Sequence, residues 1–288
     1  MLLSTGLMAR GRMGRPEVLT AIGQAAERAG LTRIWFGDHV VYPVEFAPRY
    51  PGGDGRLPYN PASPQLDVVL AMSWTLAATR TIGTGSYVMV IGMRQPVWLA
   101  KQLASLDVLS GGRLSLGVGT GWMGEEYQAL GVSPGRRGAR TDDYLEVLRK
   151  LWTEPTPSHH SEFVSFPPLH CNPKPRQPGG VPIWIGGNGP AALERVARFG
   201  AGWLPLAGDP DTIAAALPAL RQRLEAHGRD PDGVGVATTV TLSDRALVRD
   251  RLKRLRDVGL TEAVVPVQGK TTEAVEAWVA GIPELLED

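Results

Sequence analysis

The chain has 288 residues, and its 30 Lys and Arg against 29 Asp and Glu give a formal net charge of +1. This balance provides no electrostatic footprint for nucleic acid or for an acidic membrane surface. The single cysteine, Cys171, excludes an internal disulfide framework and is typical of a reducing compartment. Gly and Pro are frequent, at 35 and 24 residues. Because the hydrophobic pattern between them is strong, we interpret them as boundaries between many short elements.

No targeting or membrane segment is predicted. The first 13 residues, MLLSTGLMARGRM, contain an apolar run that is too short and too interrupted for a signal peptide. The longest apolar stretch, at 68–78, falls well short of the roughly 20 residues that a membrane-spanning helix needs. We therefore expect a cytoplasmic protein.

Short β-type runs alternate with amphipathic helical stretches along the chain. Proline just inside the start and glycine just past the end delimit several of the helices. Strands are expected at 2–8, 33–37, 81–90, 113–118, 181–185, 202–206, 234–241 and 262–267. Helices are expected at 16–29, 64–79, 96–110, from about 141 to 152, and at 190–199, 211–227, 244–258 and 271–286.

Eight strands that alternate with eight helices predict parallel β-strands joined by right-handed crossovers. The count matches a closed (β/α)₈ TIM barrel, an α/β fold, as a single domain over 1–288. The segment at about 154–180 is rich in proline and has no helical period, so we interpret it as an insertion before the fifth strand. A doubly wound open sheet is the alternative, because the first strand is weak.

Barrels of this kind carry their active site at the carboxyl ends of the strands. Asp38 and His39 follow the second strand, where histidine can exchange a proton near neutral pH and a carboxylate can bond a ligand N–H. The alternative is that Asp38 caps a turn and His39 packs in a loop. Glu125 and Glu126 could form a carboxylate site, but adjacent acids after a loop are more typical of a solvated helix start.

Glycine-rich segments follow the fourth and fifth strands. At Gly186, Gly187 and Asn188 the backbone can approach a ligand closely, and the helix that follows can bind a phosphate at its amino end. The alternative is a tight turn with Asn188 as the helix N-cap. The GVGTG run at 117–121 lacks the GxGxxG spacing of a dinucleotide fingerprint. It suits a flat ring lying against backbone, with Trp122 as a stacking wall or as an ordinary core residue.

A metal site and a serine-hydrolase triad are not predicted. His159 and His160 are adjacent, so they point apart in an extended segment, and the sequence has no HxxxH or HxH motif. A GxSxG nucleophile elbow is not predicted either, because the GVSPG match at 131–135 does not directly follow a predicted strand.

Four segments resemble the luciferase-like monooxygenase superfamily, in particular its branch of oxidoreductases that depend on the deazaflavin coenzyme F420. They are AERAGLTRIWFGDHV (26–40), RQPVWLAKQLASLDVLSGGRLSLGVGTGW (94–122), RRGARTDDYLEVLRKLW (136–152) and HCNPKPRQPGGVPIWIGGNGPAALERVARFGAGW (170–203). Together they cover about half of the chain in the order of the family. The resemblance implies a (β/α)₈ barrel with an insertion, usually a homodimer, that binds F420 or FMN at the barrel mouth.

The resemblance also implies roles for individual residues. Asp38 would contact the deazaflavin and His39 would assist proton movement. A bulge in the third strand, often with a non-prolyl cis peptide behind the cofactor ring, maps to Gly85, Ser86 and Tyr87. Gly186, Gly187 and Asn188 would hold the cofactor phosphate. The ring pocket or its tail would be lined by Gly119, Thr120, Gly121 and Trp122.

The leading hypothesis is therefore hydride transfer between F420 and a small organic substrate, with His39 as proton shuttle. One alternative is an FMN-dependent monooxygenase fed by a separate reductase, since both cofactors present a phosphate. A second is a non-redox isomerase or aldolase acting on a phosphorylated sugar, which would need a lysine nucleophile or a carboxylate base. A third is a cofactor-binding protein without turnover. The substrate would lie beneath the 42–63 loop and the insertion, whose sequences do not identify it.

Overall fold

Strands and helices alternate along the chain. The computed structural model describes residues 1–45, 50–51, 55–206, 208–241 and 245–286. The strands are β1 (Leu2–Leu7), β2 (Arg33–Phe36), β3 (Gly83–Ser86), β4 (Met89–Val90), β5 (Leu114–Gly119), β6 (His159–His160), β7 (Ser165–Phe166), β8 (Ile183–Gly186), β9 (Gly202–Leu204), β10 (Gly235–Thr239) and β11 (Glu262–Pro266). The helices are α1 (Pro16–Arg28), α2 (Val68–Ala77), α3 (Pro96–Ser110), α4 (Gly124–Ala129), α5 (Arg137–Thr153), α6 (Pro190–Phe199), α7 (Pro210–Ala226), α8 (Arg245–Asp257) and α9 (Thr272–Ala280).

Eight parallel strands close into a barrel. Neighbouring strands follow the order β3, β2, β1, β11, β10, β9, β8 and β5, and a further pairing between β3 and β5 closes the ring. The helices surround this sheet, which confirms the predicted (β/α)₈ barrel and rules out the open doubly wound sheet.

The third barrel strand is interrupted. β3 lies between β2 and β5, and β4 then continues along β5 with Met89 opposite Val118. The peptide bond between Tyr87 and Val88, in the gap between the two pieces, is cis. The prediction of one continuous strand over 81–90 is therefore wrong at Tyr87 and Val88, where the strand is interrupted.

Several helix boundaries differ from the predicted ones. α2 begins at Val68 and not at Pro64, because the Asp67 side chain accepts hydrogen bonds from the first-turn N–H groups and so caps the helix there. α4 was not predicted, and α5 begins about one turn before residue 141. The predicted start of the seventh helix, at 244, lies outside the described residues. Within the described ranges, none of the helices has the length and hydrophobicity to cross a membrane.

The segment between α5 and β8 contains a small antiparallel hairpin, formed by β6 and β7. His159 is buried and His160 is exposed, as expected for adjacent residues of an extended segment. The Nε2 atom of His159 lies 2.8 Å from an Asp143 carboxylate oxygen, which fastens the hairpin to α5.

Polar and aromatic side chains fill the barrel at the amino ends of its strands. Glu262 accepts hydrogen bonds from the Ser4 hydroxyl at 2.5 Å and from the Trp35 indole N–H at 2.7 Å. The Arg33 guanidinium lies 3.2 Å from the other oxygen of Glu262 and packs over the rings of Trp35 and Trp184. Because this end of the barrel is filled, the carboxyl ends of the strands are the place for a ligand.

Candidate active site

His39 and Glu126 form a hydrogen-bonded pair at the carboxyl end of β2. The Nδ1 atom of His39 lies 2.9 Å from Glu126 Oε2, and Glu126 Oε1 accepts the backbone N–H of Val40 at 2.5 Å. The side chains are 11% exposed for His39 and 2% for Glu126. Because a carboxylate accepts hydrogen bonds, Nδ1 carries the proton in this pair. Nε2 is then the ring nitrogen that can exchange a proton with a ligand.

Asp38 is held by Arg94 in a bidentate ion pair. The two terminal nitrogens of Arg94 donate to the two carboxylate oxygens at 2.7 and 2.8 Å, and the backbone N–H of Val90 lies 3.3 Å from Oδ2. The side chain of Asp38 is 1% exposed and that of Arg94 is 14% exposed. Burial raises the pKa of the Asp38 carboxyl, and the charge of Arg94 acts in the opposite direction. A contact between Asp38 and a cofactor stays a prediction, and in this structure both carboxylate oxygens are bonded to protein groups.

Four aromatic side chains lie beside His39, and we call Tyr42, Tyr50, Tyr59 and Trp122 the aromatic cluster. The centroid of the His39 ring lies 4.7 Å from that of Tyr42 and 6.1 Å from that of Trp122. Tyr50 meets Trp122 at 5.7 Å and Tyr59 meets Tyr42 at 5.9 Å, both edge-on. All four side chains are half-buried. Trp122 therefore belongs to a wall at the mouth and not to the hydrophobic core.

Arg10 fastens the aromatic cluster to the end of β1. Its guanidinium packs over the rings of Tyr42 and Tyr59 at 4.5 and 4.1 Å from their centroids. The same guanidinium donates two hydrogen bonds, at 2.8 and 3.1 Å, to the side-chain oxygen of Gln65. The Gln65 side chain in turn donates to the backbone carbonyl of His39 at 3.2 Å. The loop after β2 is thus held against the barrel and fixes the position of His39.

The residues predicted at the bulge are engaged by protein groups. A Cβ atom added at Gly85 would lie 2.5 Å from the Trp35 ring, so glycine is required for that ring to pack. The Ser86 hydroxyl donates to the Gly117 carbonyl at 2.8 Å. The Tyr87 ring meets Trp35 edge-on at 5.8 Å, and burial raises the pKa of its hydroxyl. These contacts fix the positions of Gly85, Ser86 and Tyr87 within the barrel. Contacts between these residues and a cofactor stay a prediction.

Val88 fills the space next to two of the predicted cofactor-binding glycines. A Cβ atom at Gly119 would lie 2.5 Å from one methyl group of Val88, and one at Gly186 would lie 2.9 Å from the other. Glycine at these two positions therefore makes room for a protein side chain. This packing role was not predicted from the sequence.

The chain turns sharply between β5 and α4. Gly121 has a φ of 69°, in the left-handed region that favours glycine. The Thr120 carbonyl accepts a hydrogen bond from the Tyr127 hydroxyl at 3.0 Å, and burial raises the pKa of Tyr127 to about 12. The turn places Trp122 and Glu126 on the same side of the barrel, where both lie next to His39.

Gly187 and Asn188 build the turn after β8. Gly187 has a φ of 118°, and its carbonyl accepts the indole N–H of Trp203 at 2.7 Å. The Asn188 side chain accepts from the Leu206 N–H at 2.7 Å and donates to the Leu206 carbonyl at 3.0 Å. The N-cap of α6 is Gly189, so the interpretation of Asn188 as N-cap is wrong. Because no side chain caps α6, the positive end of its helix dipole is suited to an anion.

Two residues of this site, Glu126 and Arg94, were not predicted. The interpretation of Glu125 and Glu126 as a solvated helix start holds for exposed Glu125 and is wrong for buried Glu126. A signal for Arg94 was present, since it is a lone charge between two apolar runs at 88–93 and 96–100. In the part of the chain that the structure describes, no group of three His, Cys, Asp or Glu side chains is arranged to hold a metal ion.

Proteins with similar sequences indicate the family of this chain. The family model described as luciferase-like monooxygenase matches residues 1–267. An uncharacterized protein of Mycobacterium tuberculosis is 31% identical over 274 residues, which are 93% of this chain and 92% of the relative. The F420-dependent glucose-6-phosphate dehydrogenase of Kineococcus radiotolerans is 28% identical over 84% of this chain and 68% of its own length. The FMNH2-dependent dimethylsulfone monooxygenase of Pseudomonas putida is 27% identical over 72% of this chain and 53% of its own length.

A solved structure shows the same fold. An F420-dependent secondary alcohol dehydrogenase in complex with an F420-acetone adduct superposes with a TM-score of 0.80, covering 100% of this chain and 99% of the other at 16% identity. At this identity the likeness establishes the fold alone. The family model that spans most of the chain, together with a relative above 30% identity over nearly its full length, establishes the family. The chain belongs to the luciferase-like monooxygenase family of oxidoreductases, which has F420-dependent and FMN-dependent members.

Proposed function

We propose that this protein transfers a hydride between coenzyme F420 and a small organic substrate, with His39 exchanging the accompanying proton. The observation that carries the proposal is the buried Glu126 bonded to His39 Nδ1 at 2.9 Å, at the carboxyl end of β2. Chemistry in a (β/α)₈ barrel takes place at this end of the strands. The F420-dependent relative supports the choice of cofactor.

His39 would act through Nε2. When an alcohol is oxidised, the electron pair of its C–H bond leaves as hydride, its O–H proton passes to Nε2, and a carbonyl forms. Glu126 stabilises the resulting imidazolium because its carboxylate accepts the Nδ1–H hydrogen bond. In the reverse direction Nε2–H donates the proton to the carbonyl oxygen. A bound deazaflavin supplies the hydride chemistry, and the protein supplies orientation and the proton.

The site suits a phosphorylated ring cofactor in two respects. The uncapped start of α6 offers the Ala191 N–H and the positive end of a helix dipole to a phosphate, since Pro190 has no N–H and Ala192 donates to the Gly189 carbonyl. Trp122, which ends the glycine-rich segment, offers a ring beside His39. We therefore assign the phosphate to Gly186, Gly187 and Asn188, the ring pocket to the segment from Gly119 to Trp122, and the support behind the ring to Gly85, Ser86 and Tyr87.

An FMN-dependent monooxygenase is the alternative, and the dimethylsulfone monooxygenase relative supports it. A phosphate at α6 is common to both cofactors. A non-redox enzyme acting on a phosphorylated sugar fits less well, since the carboxylates of Asp38 and Glu126 are bonded to Arg94 and His39. The homodimer and the cytoplasmic location stay predictions.

Titration of the purified protein with F420 and, separately, with FMN tests the choice of cofactor through fluorescence. We expect tight binding of F420 and negligible binding of FMN. Preferential FMN binding would favour the monooxygenase, and binding of neither cofactor would reject both redox functions. Gly187→Ala forces a side chain into a left-handed backbone at the phosphate turn and should weaken cofactor binding. Gly179→Ala is the matched control, with a φ of 79° in the insertion, and should leave binding unchanged.

A further inference from the structure

We infer that the substrate of this site is an uncharged molecule with an apolar or aromatic body, bound against the aromatic cluster beside His39. The inference rests on the proposed function, because it concerns the molecule that exchanges hydride and proton there. It follows from two observations: the kind of surface that surrounds the imidazole, and the way in which the neighbouring charges are paired.

The surface beside the imidazole is aromatic. Tyr42 and Trp122 flank the His39 ring, and Tyr59 and Tyr50 extend this wall outward through edge-on contacts. Half-buried rings offer large apolar area at a low cost in side-chain entropy, and they favour flat or apolar partners. A ligand that delivers its reacting oxygen to Nε2 must contact this wall.

The negative charges around His39 are already matched. Asp38 is bonded through both oxygens to Arg94, which also lies 3.8 Å from Asp67. Glu126 bonds His39 and the backbone N–H of Val40. Within the described residues, an anionic substrate group would therefore have to compete with buried Asp38 for Arg94, or lie close to the Glu126 carboxylate. At Arg10 it would have to displace Gln65 and the Asn60 carbonyl, to which all three guanidinium nitrogens donate. Each arrangement costs free energy, because a buried charge or a displaced acceptor needs a new partner.

A cationic substrate meets a different obstacle. Aromatic rings attract cations, but Arg10 already occupies the faces of Tyr42 and Tyr59 at 4.5 and 4.1 Å. Arg10 is held there by Gln65. A second cation at these rings would be repelled by the guanidinium. An uncharged substrate avoids both penalties, and this pairing of charges discriminates against charged competitors.

Three ketones with a common acetophenone body test the inference: neutral acetophenone, anionic 4-acetylbenzoate and cationic 4-acetyl-N,N,N-trimethylanilinium. Their dissociation constants are measured by calorimetry on the F420-loaded protein at neutral pH. Acetophenone should bind at least about tenfold more tightly than either charged ketone, which corresponds to about 1.4 kcal/mol. Equal or tighter binding of a charged ketone would overturn the inference.

Two variants locate the binding surface. Tyr42→Leu removes the ring that lies 4.7 Å from His39 and should weaken acetophenone binding by about tenfold with F420 binding unchanged. Trp74→Leu is the control, because Trp74 is 50% exposed on α2 and bonds Thr20. Equal affinities of both variants and the wild type would contradict the location, and circular dichroism establishes that each variant is folded. If F420 does not bind, the proposed function fails, while the comparison of the three ketones on the protein alone still decides the substrate class.

Discussion

Removal of Arg94 should destabilise the protein by much more than removal of an exposed arginine. In Arg94→Met, the Asp38 carboxylate loses both charge-assisted hydrogen bonds, of 2.7 and 2.8 Å, and keeps the Val90 N–H at 3.3 Å. The Asp38 side chain is only 1% exposed, so water cannot replace the lost donors. Loss of one partner from a buried ion pair costs about 3–5 kcal/mol.

Urea unfolding at pH 7, followed by tryptophan fluorescence, measures this loss. Arg221→Met is the matched control: it breaks an ion pair with Asp232 whose side chains are 52% and 74% exposed, so it should cost about 0–1 kcal/mol. The double variant Asp38→Asn/Arg94→Met should recover part of the stability, because no buried charge is left unpaired. If Arg94→Met cost no more than Arg221→Met, the account of this ion pair would be refuted.

Two further changes test the packing and the pH dependence. Gly202→Ala places a Cβ atom 2.1 Å from the Trp184 ring and should lower the free energy of unfolding by about 1–3 kcal/mol, whereas Gly124→Ala, with its nearest contact at 3.6 Å, should have a small effect in the same urea assay. For Glu27, desolvation acts to raise the pKa, but four hydrogen bonds, two of them from Thr81, lower it to about 2 from 4.5. Because the folded-state value is the lower one, the stabilisation by Glu27 is present above pH 4.5 and is lost as the pH falls towards 2. Glu27→Gln should therefore have a lower free energy of unfolding than the wild type at pH 7, and this difference should shrink as the pH falls from 4.5 towards 2. A difference in unfolding free energy that does not change with pH would contradict this prediction.

The sequence predicts the barrel well because its alternation of strands and helices is a local pattern. Pro16 and Pro96 begin helices where expected, and Gly111 has a φ of 77° at the end of α3. The start of α2 is missed because Asp67, three residues after the proline-marked start at 64, caps that helix through its side chain. The interruption at Tyr87–Val88 is missed by the local pattern, because the apolar run continues across it, whereas the family resemblance implied a bulge with a non-prolyl cis peptide at Gly85, Ser86 and Tyr87.

The site is only partly predictable because its partners come from different strands and loops. Asp38 and His39 are recognisable from their place after β2. Their partners, Arg94 and Glu126, are 56 and 87 residues away in sequence, so only the closed barrel brings them together. For the same reason the glycines at the strand ends could not be divided between those facing a ligand and those that make room for side chains such as Val88.

The most direct test of the central claim is the rate at which bound F420 is reduced in a single turnover by secondary alcohols, 1-phenylethanol among them. His39→Ala should slow this step by about 100-fold or more with cofactor binding unchanged, because the proton acceptor is lost. Glu126→Gln should slow it less, because the amide still occupies the place beside Nδ1. His227→Ala is the control, since His227 also bonds a carboxylate, Glu194, at 2.7 Å but in a more exposed pair. Wild-type rates in His39→Ala, with F420 bound, would contradict the claim.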